Sequence, residues 1–212
     1  MAHKVNLTER NKDYSVFLPS ISSFYDRTIS RYREQGDSFF PPERIPSRFE
    51  DGLDGCDFLK QDAYYTYKWG LYSAGHAQLD LSKANAHDNM VQGRDRPNTF
   101  ILGDSGGFQI IKGVIQCDWA NFKSDDSLRH TILNWLEHTA DYSMILDIPT
   151  MAASEPYKQK TGIKDFRQCL DYTLHNCNWF VKNRKGNTKY LNVLQGRDKA
   201  EADTWIDTVK HL

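Results

Sequence analysis

The chain lacks the signatures of several protein classes. Its 212 residues include only four cysteines, Cys56, Cys117, Cys169 and Cys177, and no Cys-x-x-Cys pair. This usage favours reduced thiols in a cytoplasmic protein, with a disulfide as the less favoured alternative. No apolar run approaches membrane-spanning length, and residues 1–15 lack the apolar core of a signal peptide. We therefore expect a cytoplasmic protein with no membrane partner.

Motifs for phosphate and zinc binding are missing as well. Neither the P-loop pattern Gly-x-x-x-x-Gly-Lys nor the dinucleotide pattern Gly-x-Gly-x-x-Gly occurs. The seven histidines do not cluster with cysteines at zinc-ligand spacing. The formal net charge is −1, so no overall field attracts nucleic acid. A polynucleotide partner would need a local basic patch, and no basic run is evident in the sequence.

The composition that remains is that of a globular α/β protein. Hydrophobic residues make up 39% of the chain and aromatic residues 13%, enough for one domain with a sizeable core. Residues 96–212 are predicted to alternate strands and helices, with a hairpin-like insertion at 109–116. The predicted strands are 98–103, 143–146 and 190–194, and the predicted helices are 124–139, 163–182 and the C-terminal residues. Such alternation implies parallel strands with right-handed crossovers.

Residues 1–95 are interpreted as an N-terminal segment of helices and loops. A helix is predicted over 21–35, a surface loop over 36–55, and a second helix over the Tyr- and Trp-rich stretch 57–79. The aromatic residues of that stretch suit base stacking, but packing in a core or an interface is the favoured interpretation.

A polar residue closes each predicted strand of the second half. Asp104, Asp147 and Gln195 stand at these three ends. Because parallel strands finish at one face of the sheet, we expect the three side chains to converge. One such aspartate is commonly a turn residue, but three in succession favour a site.

The residues after Asp104 predict what this site binds. Ser105 precedes two glycines, Gly106 and Gly107, which let the backbone approach a flat ligand closely. Phe108 then offers a ring face and Gln109 offers hydrogen bonds. These groups together predict a pocket for a planar, nitrogen-rich heterocycle.

The segment 103–107 also matches the GDSGG motif of chymotrypsin-like serine proteases, and His76 lies in a sequence similar to their histidine segment. That family is built from strands alone, whereas strand–helix units follow the motif here. A hydrolase that uses Ser105 is therefore a remote alternative.

The hexapeptide 104–109, the strand-end Asp147 and the sequence Leu194-Gln195-Gly196 resemble the tRNA-guanine transglycosylases. These enzymes are the queuine and archaeosine tRNA-ribosyltransferases. The resemblance covers roughly residues 95–212, and the aromatic-rich N-terminal part looks more like the phage and bacterial branch that inserts 7-deazaguanines into DNA. The resemblance implies a (β/α)8 TIM barrel that is incomplete at its C-terminus. The first barrel elements would then fall within residues 1–95.

The resemblance also implies a base-exchange reaction. A carboxylate attacks the anomeric carbon of a nucleotide and expels guanine, and a 7-deazaguanine then attacks the covalent intermediate. The tRNA or DNA substrate presents its base flipped out. Asp104 is the implied acid/base residue. The implied base-binding residues are Ser105, Gly106, Gly107, Phe108, Gln109, Asp147, Gln195 and Gly196.

Two elements of the family have no match in this chain. The nucleophilic aspartate and the ligands of the structural zinc follow the glutamine motif in the family, and Asp198, Asp203 and Asp207 are not assigned to either role. We expect both to come from outside this chain. It is then a fragment, a split enzyme that needs a complementing C-terminal half or a homodimer, or a non-catalytic partner subunit.

Overall fold

The computed structural model describes residues 15–75 and 89–212 and shows an α/β fold. Four parallel strands form one sheet in the order β1-β2-β3-β4. These strands are β1 (Trp69–Ser73), β2 (Phe100–Asp104), β3 (Tyr142–Met144) and β4 (Lys189–Leu191). Every strand therefore lies beside its neighbours along the chain. The parallel strand–helix alternation predicted for the second half is confirmed.

Helices connect and follow these strands. The described residues include α1 (Ser23–Gln35), α2 (Gly107–Lys112), α3 (Ser127–Thr139), α4 (Tyr157–Thr161), α5 (Phe166–Asn183) and α6 (Lys199–Val209). Short 3-10 turns lie at Gly36–Ser38, Pro42–Arg44, Asp54–Cys56 and Thr150–Ala153. None of the helices in the described part combines the length and the apolar character needed to cross a membrane.

Aspartate side chains fix where the later helices begin. Asp165 and Asp198 are the N-caps of α5 and α6, and each carboxylate accepts a backbone N–H from the first turn. The helix predicted over 124–139 begins later than expected. Ser124 Oγ donates to the Asn121 carbonyl, and Asp125 Oδ1 accepts the Ser127 N–H at 2.9 Å. The helix therefore begins at Ser127 rather than at 124.

The helix predicted over 57–79 was also wrong within its described part, because β1 lies there. Gly70 and Tyr72 are buried while Trp69 and Leu71 are partly exposed, which is the period-two alternation of a strand. A Cβ on Gly70 would lie only 3.0 Å from Ile21 Cδ1. The glycine thus permits close packing in a strand rather than weakening a helix.

The hairpin predicted at 109–116 is replaced by α2. Gly113 ends this helix in the left-handed conformation with φ +79°, and its N–H bonds the Gln109 and Ile110 carbonyls. This glycine C-cap is a helix-terminating signal. Residues 114–116, the second half of the predicted hairpin, form no strand.

The chain forms two compact units. The first contains residues 15–72, 89–102 and 138–140, and the second contains residues 73–75, 103–137 and 141–212. In the first unit, Asp26 is buried and accepts hydrogen bonds from Tyr72 Oη at 3.1 Å and Asn89 Nδ2 at 2.6 Å. The carboxyl ends of all four strands belong to the second unit, which therefore carries the candidate site.

The two outer strands of the sheet differ in how their edges are covered. Leu71 of β1 is bonded on its outer side, because its N–H donates to Pro19 O and its carbonyl accepts the Ile21 N–H, both at 2.9 Å. Leu191 is the last residue of β4 and keeps 41% of its surface exposed, and Leu194, which follows the strand, keeps 59%. The β4 side of the sheet therefore presents apolar surface.

The core of the second unit joins α5 and α6. Trp205 is fully buried, and its ring centroid lies 5.9 Å from that of Phe166. Its Nε1 donates to the Val193 carbonyl at 2.7 Å, so one side chain links α6 to the segment after β4. The next residue, Ile206, is 47% exposed although the sequence places it on the same apolar stripe.

We expect Trp205→Ala to lower the free energy of unfolding by about 3–5 kcal/mol, because it leaves a cavity and an unpaired carbonyl. Ile206→Ala on the same helix should cost under about 1 kcal/mol. Urea denaturation followed by circular dichroism measures both. Equal losses in the two variants would contradict this account of the core.

Candidate active site

The first carboxylate of the site is held between two strand ends. Asp104 is the last residue of β2, and its Oδ2 accepts a hydrogen bond of 2.6 Å from Ser73 Oγ at the end of β1. Its Oδ1 accepts the Gly106 N–H at 3.2 Å. These two donors fix the orientation of the carboxylate. Ser73 was not among the predicted site residues, because the segment that contains it was predicted to be helical.

The second carboxylate and the amide are in direct contact. Asp147, three residues after β3, is buried with 8% of its surface exposed. Its Oδ2 accepts a hydrogen bond of 2.8 Å from Gln195 Nε2, which follows β4. Neither residue closes its strand as predicted, because β3 ends at Met144 and β4 at Leu191. The two side chains nevertheless converge as expected, although they are 48 positions apart in the chain.

The environment of Asp147 changes its acidity. The pKa of Asp147 is raised to about 6. Burial is the largest cause, the hydrogen bond from Gln195 opposes it, and the negative charge of Asp104 adds a smaller upward contribution. Asp104 Oδ1 accepts the Gly106 N–H, and a Cβ on the next residue, Gly107, would lie 3.5 Å from Asp147 Oδ1. The structure thus brings all three polar strand ends to one place.

The glycines between the carboxylates have a steric role. A Cβ on Gly107 would lie 2.4 Å from the Asp147 carbonyl oxygen, and one on Gly106 would lie 3.0 Å from the Gly75 amide nitrogen. Gly106 also has φ +81°, which a side chain would strain. The backbone after β2 therefore passes directly against the backbone after β3.

Ser105 is buried completely, and its Oγ donates to the Ile145 carbonyl at 3.4 Å. A side chain with no accessible surface cannot reach a substrate carbonyl. This geometry gives the hydrolase alternative no support, and His76 lies outside the described residues.

Phe108 and Gln109 differ in their surroundings. Phe108 is 38% exposed, Lys112 Nζ lies 4.2 Å from its ring centroid, and the Tyr157 ring meets it edge-on at 6.2 Å. Gln109 packs against Gly75, where a Cβ would lie 2.5 Å from Gln109 Cγ. Its Oε1 is buried and finds no hydrogen-bond partner within residues 15–75 and 89–212.

Gly196 has a packing role that the sequence did not indicate. It adopts φ +155°, and a Cβ there would lie 2.6 Å from the Ala202 amide nitrogen. The chain can therefore pass from Gln195 into the first turn of α6 only with glycine at this position.

The remaining carboxylates and thiols have other surroundings. Asp203 pairs with Lys199 and Asp207 with Lys210 on the surface of α6. Within the described residues, no three His, Cys, Asp or Glu side chains are grouped to hold a metal ion, so the structural zinc implied by the resemblance finds no ligand set there. The cysteines are free thiols, and burial raises the pKa of Cys177 to about 12.

Compared with protein-family models, curated proteins and solved structures, the chain matches none of them.

The site therefore combines two carboxylates in unlike environments with one amide. Such a pair can divide acid/base work between its members. The Asp147–Gln195 pair places an acceptor and a donor side by side, which suits the edge of a heterocycle.

The raised pKa of Asp147 predicts a pH effect on stability. The native state binds this proton more tightly than the unfolded state, so the contribution is complete below about pH 4 and is lost as the pH rises through 6. Between pH 4 and 7, the unfolding free energy of the wild type should fall by about 2 kcal/mol relative to Asp147→Asn. Asp203→Asn, at an exposed position, is the control and should follow the wild type. Parallel curves for wild type and Asp147→Asn in urea titrations would contradict the assignment.

The close approach at Gly107 predicts a steric penalty. Gly107→Ala should lower the unfolding free energy by about 1–3 kcal/mol, because the new methyl group meets a backbone oxygen that cannot rotate away. In Gly186→Ala the methyl group meets only the flexible Glu137 side chain at 3.2 Å, so a smaller loss is expected. Chemical denaturation compares the two, and a neutral Gly107→Ala would rule out the tight contact.

Proposed function

We propose that this strand-end site binds guanine or a 7-deazaguanine and serves a base-exchange glycosyltransferase that acts on guanine in tRNA or DNA. The observation that carries the proposal is the 2.8 Å contact between Asp147 and Gln195, with the Asp104 carboxylate close by. The complete fold we propose is a (β/α)8 TIM barrel. Four parallel strands in chain order support it, because a barrel places consecutive strands side by side.

Base recognition uses the Asp147–Gln195 pair. A guanine edge carries N–H donors beside a carbonyl acceptor. Asp147 accepts from the ring N–H and the exocyclic amine, and the Gln195 amide turns from Asp147 to the base carbonyl. Each partner exchanges one hydrogen bond for another, so binding leaves neither group unsatisfied. Ser105, Gly106 and Gly107 hold the two strand ends together, and Phe108 supplies a partly exposed ring for stacking.

Proton transfer is assigned to Asp104. In its carboxylic acid form it protonates the departing guanine while the glycosidic C–N bond breaks and a carboxylate from outside this chain bonds to the anomeric carbon. The Asp104 carboxylate then takes the proton from the incoming base. The nitrogen of that base bonds to the anomeric carbon and displaces the carboxylate from outside this chain. The hydrogen bonds from Ser73 and Gly106 keep Asp104 oriented for both transfers.

A non-catalytic partner subunit is the second candidate. It is favoured by the state of the carboxylates after β4: Asp198 caps α6, Glu201 pairs with Arg197, and Asp203 and Asp207 pair with lysines. None of these groups is placed at a strand end as a nucleophile would be. Exchange of labelled guanine into DNA or tRNA, with and without a complementing C-terminal half, separates the two candidates.

Calorimetric titration of the protein with guanine and with 7-deazaguanine tests base binding. Asp147→Asn should weaken both by at least about tenfold, because an amide cannot accept two N–H donors as a carboxylate does. Asp203→Asn is the matched control and should bind like the wild type. If the wild type bound neither base, the proposal would fail.

A further inference from the structure

Three exposed lysines lie beside the candidate site. Lys112 is the last residue of α2, and Lys158 and Lys160 lie on α4. Lys160 Nζ donates to the Lys112 carbonyl at 3.2 Å, so the two helices bring the lysines together. We call Lys112, Lys158 and Lys160 the lysine patch.

Contacts within one unit connect the lysine patch to the site. Gly107, against the Asp147 carbonyl, and Lys112 are the two ends of α2, and five helical steps separate them by about 8 Å. Between them, Phe108 lies under the Lys112 ammonium and meets Tyr157 of α4 edge-on. Positive charge and aromatic surface therefore lie along α2, the helix that begins at the site.

Within residues 15–75 and 89–212, no ion pair involves the three ammonium groups of the lysine patch. Three other lysines of this unit do form ion pairs, in Lys123–Asp171, Lys199–Asp203 and Lys210–Asp207. An uncompensated group of like charges attracts anions, and a ligand that carries several phosphates gains most from it.

We infer that the lysine patch binds the phosphodiester backbone of a single-stranded polynucleotide whose base enters the candidate site. A base must leave its stack to reach buried groups such as Asp147, and its flanking phosphates then stay at the surface. Lysines neutralise those phosphates, and Phe108 and Tyr157 offer rings to the flanking bases. The destination of the base depends on the proposed function, whereas phosphate binding by the lysines does not.

Fluorescence anisotropy with a labelled single-stranded DNA oligonucleotide tests the patch, with RNA of the same sequence as a second arm. Lys158→Gln/Lys160→Gln should weaken binding about tenfold at low salt. It should also reduce the slope of log affinity against log salt by about 1.4, or about 0.7 for each lost contact. The control Lys199→Gln/Lys210→Gln removes the same charge from α6 and should bind nearly as the wild type does.

Equal weakening in the two double variants, or an unchanged salt slope in Lys158→Gln/Lys160→Gln, would overturn the inference. Urea unfolding of both variants verifies that the fold is retained. Titration with free guanine separates this inference from the proposed function. Patch-dependent oligonucleotide binding without guanine binding would support the lysine patch and reject the base site. An effect with both oligonucleotides supports recognition of the shared backbone, and an effect with one alone supports the patch and identifies the polynucleotide.

Discussion

The geometry of the site depends on the contact between Gly107 and the Asp147 carbonyl. Two backbones can approach this closely only where no Cβ intervenes. The contact joins the segment after β2 to the segment after β3, and Asp104 at the end of β2 accepts the neighbouring Gly106 N–H. The placement of the two carboxylates therefore depends on a residue that has no side chain.

Burial explains why Asp147 needs Gln195. A buried carboxylate without donors is costly, and the amide supplies one hydrogen bond where water is excluded. Under the proposed function, the same bond would also select ligands, because any molecule that displaces Gln195 must bring N–H donors of its own. An apolar ring of similar size would leave both groups unsatisfied and would be rejected. Structural support and selectivity thus come from one interaction.

The strand ends were predictable because their signal is local. An apolar run closed by Asp104 or Asp147 identifies a buried strand and its polar end, and parallel alternation makes such ends converge. Several of the errors concern residues whose neighbours are distant in the chain. The stretch 57–79 has aromatic residues at helical spacing. Within it, Trp69–Ser73 forms a strand because it pairs with β2 and because Gly70 packs against Ile21.

Other features of the site depend on tertiary register alone. Ser73 reaches Asp104 only because β1 and β2 are paired neighbours. Lys112 and Lys160 are 48 positions apart, so no basic run in the sequence indicates the lysine patch. Gly113 did carry a local signal, because a glycine after an apolar stretch is a common helix C-cap. The prediction of a hairpin at 109–116 placed this glycine in a turn instead.

The sheet has edges of unlike character, and this gives its assembly a direction. On the outer side of β1, the 19–21 segment already occupies the hydrogen-bonding groups of Leu71. On the opposite side, Leu191 and Leu194 leave apolar surface uncovered. A further strand placed beside β4 would bury these two leucines, whereas the groups of Leu71 are already bonded, so growth of the sheet is favoured at one edge alone.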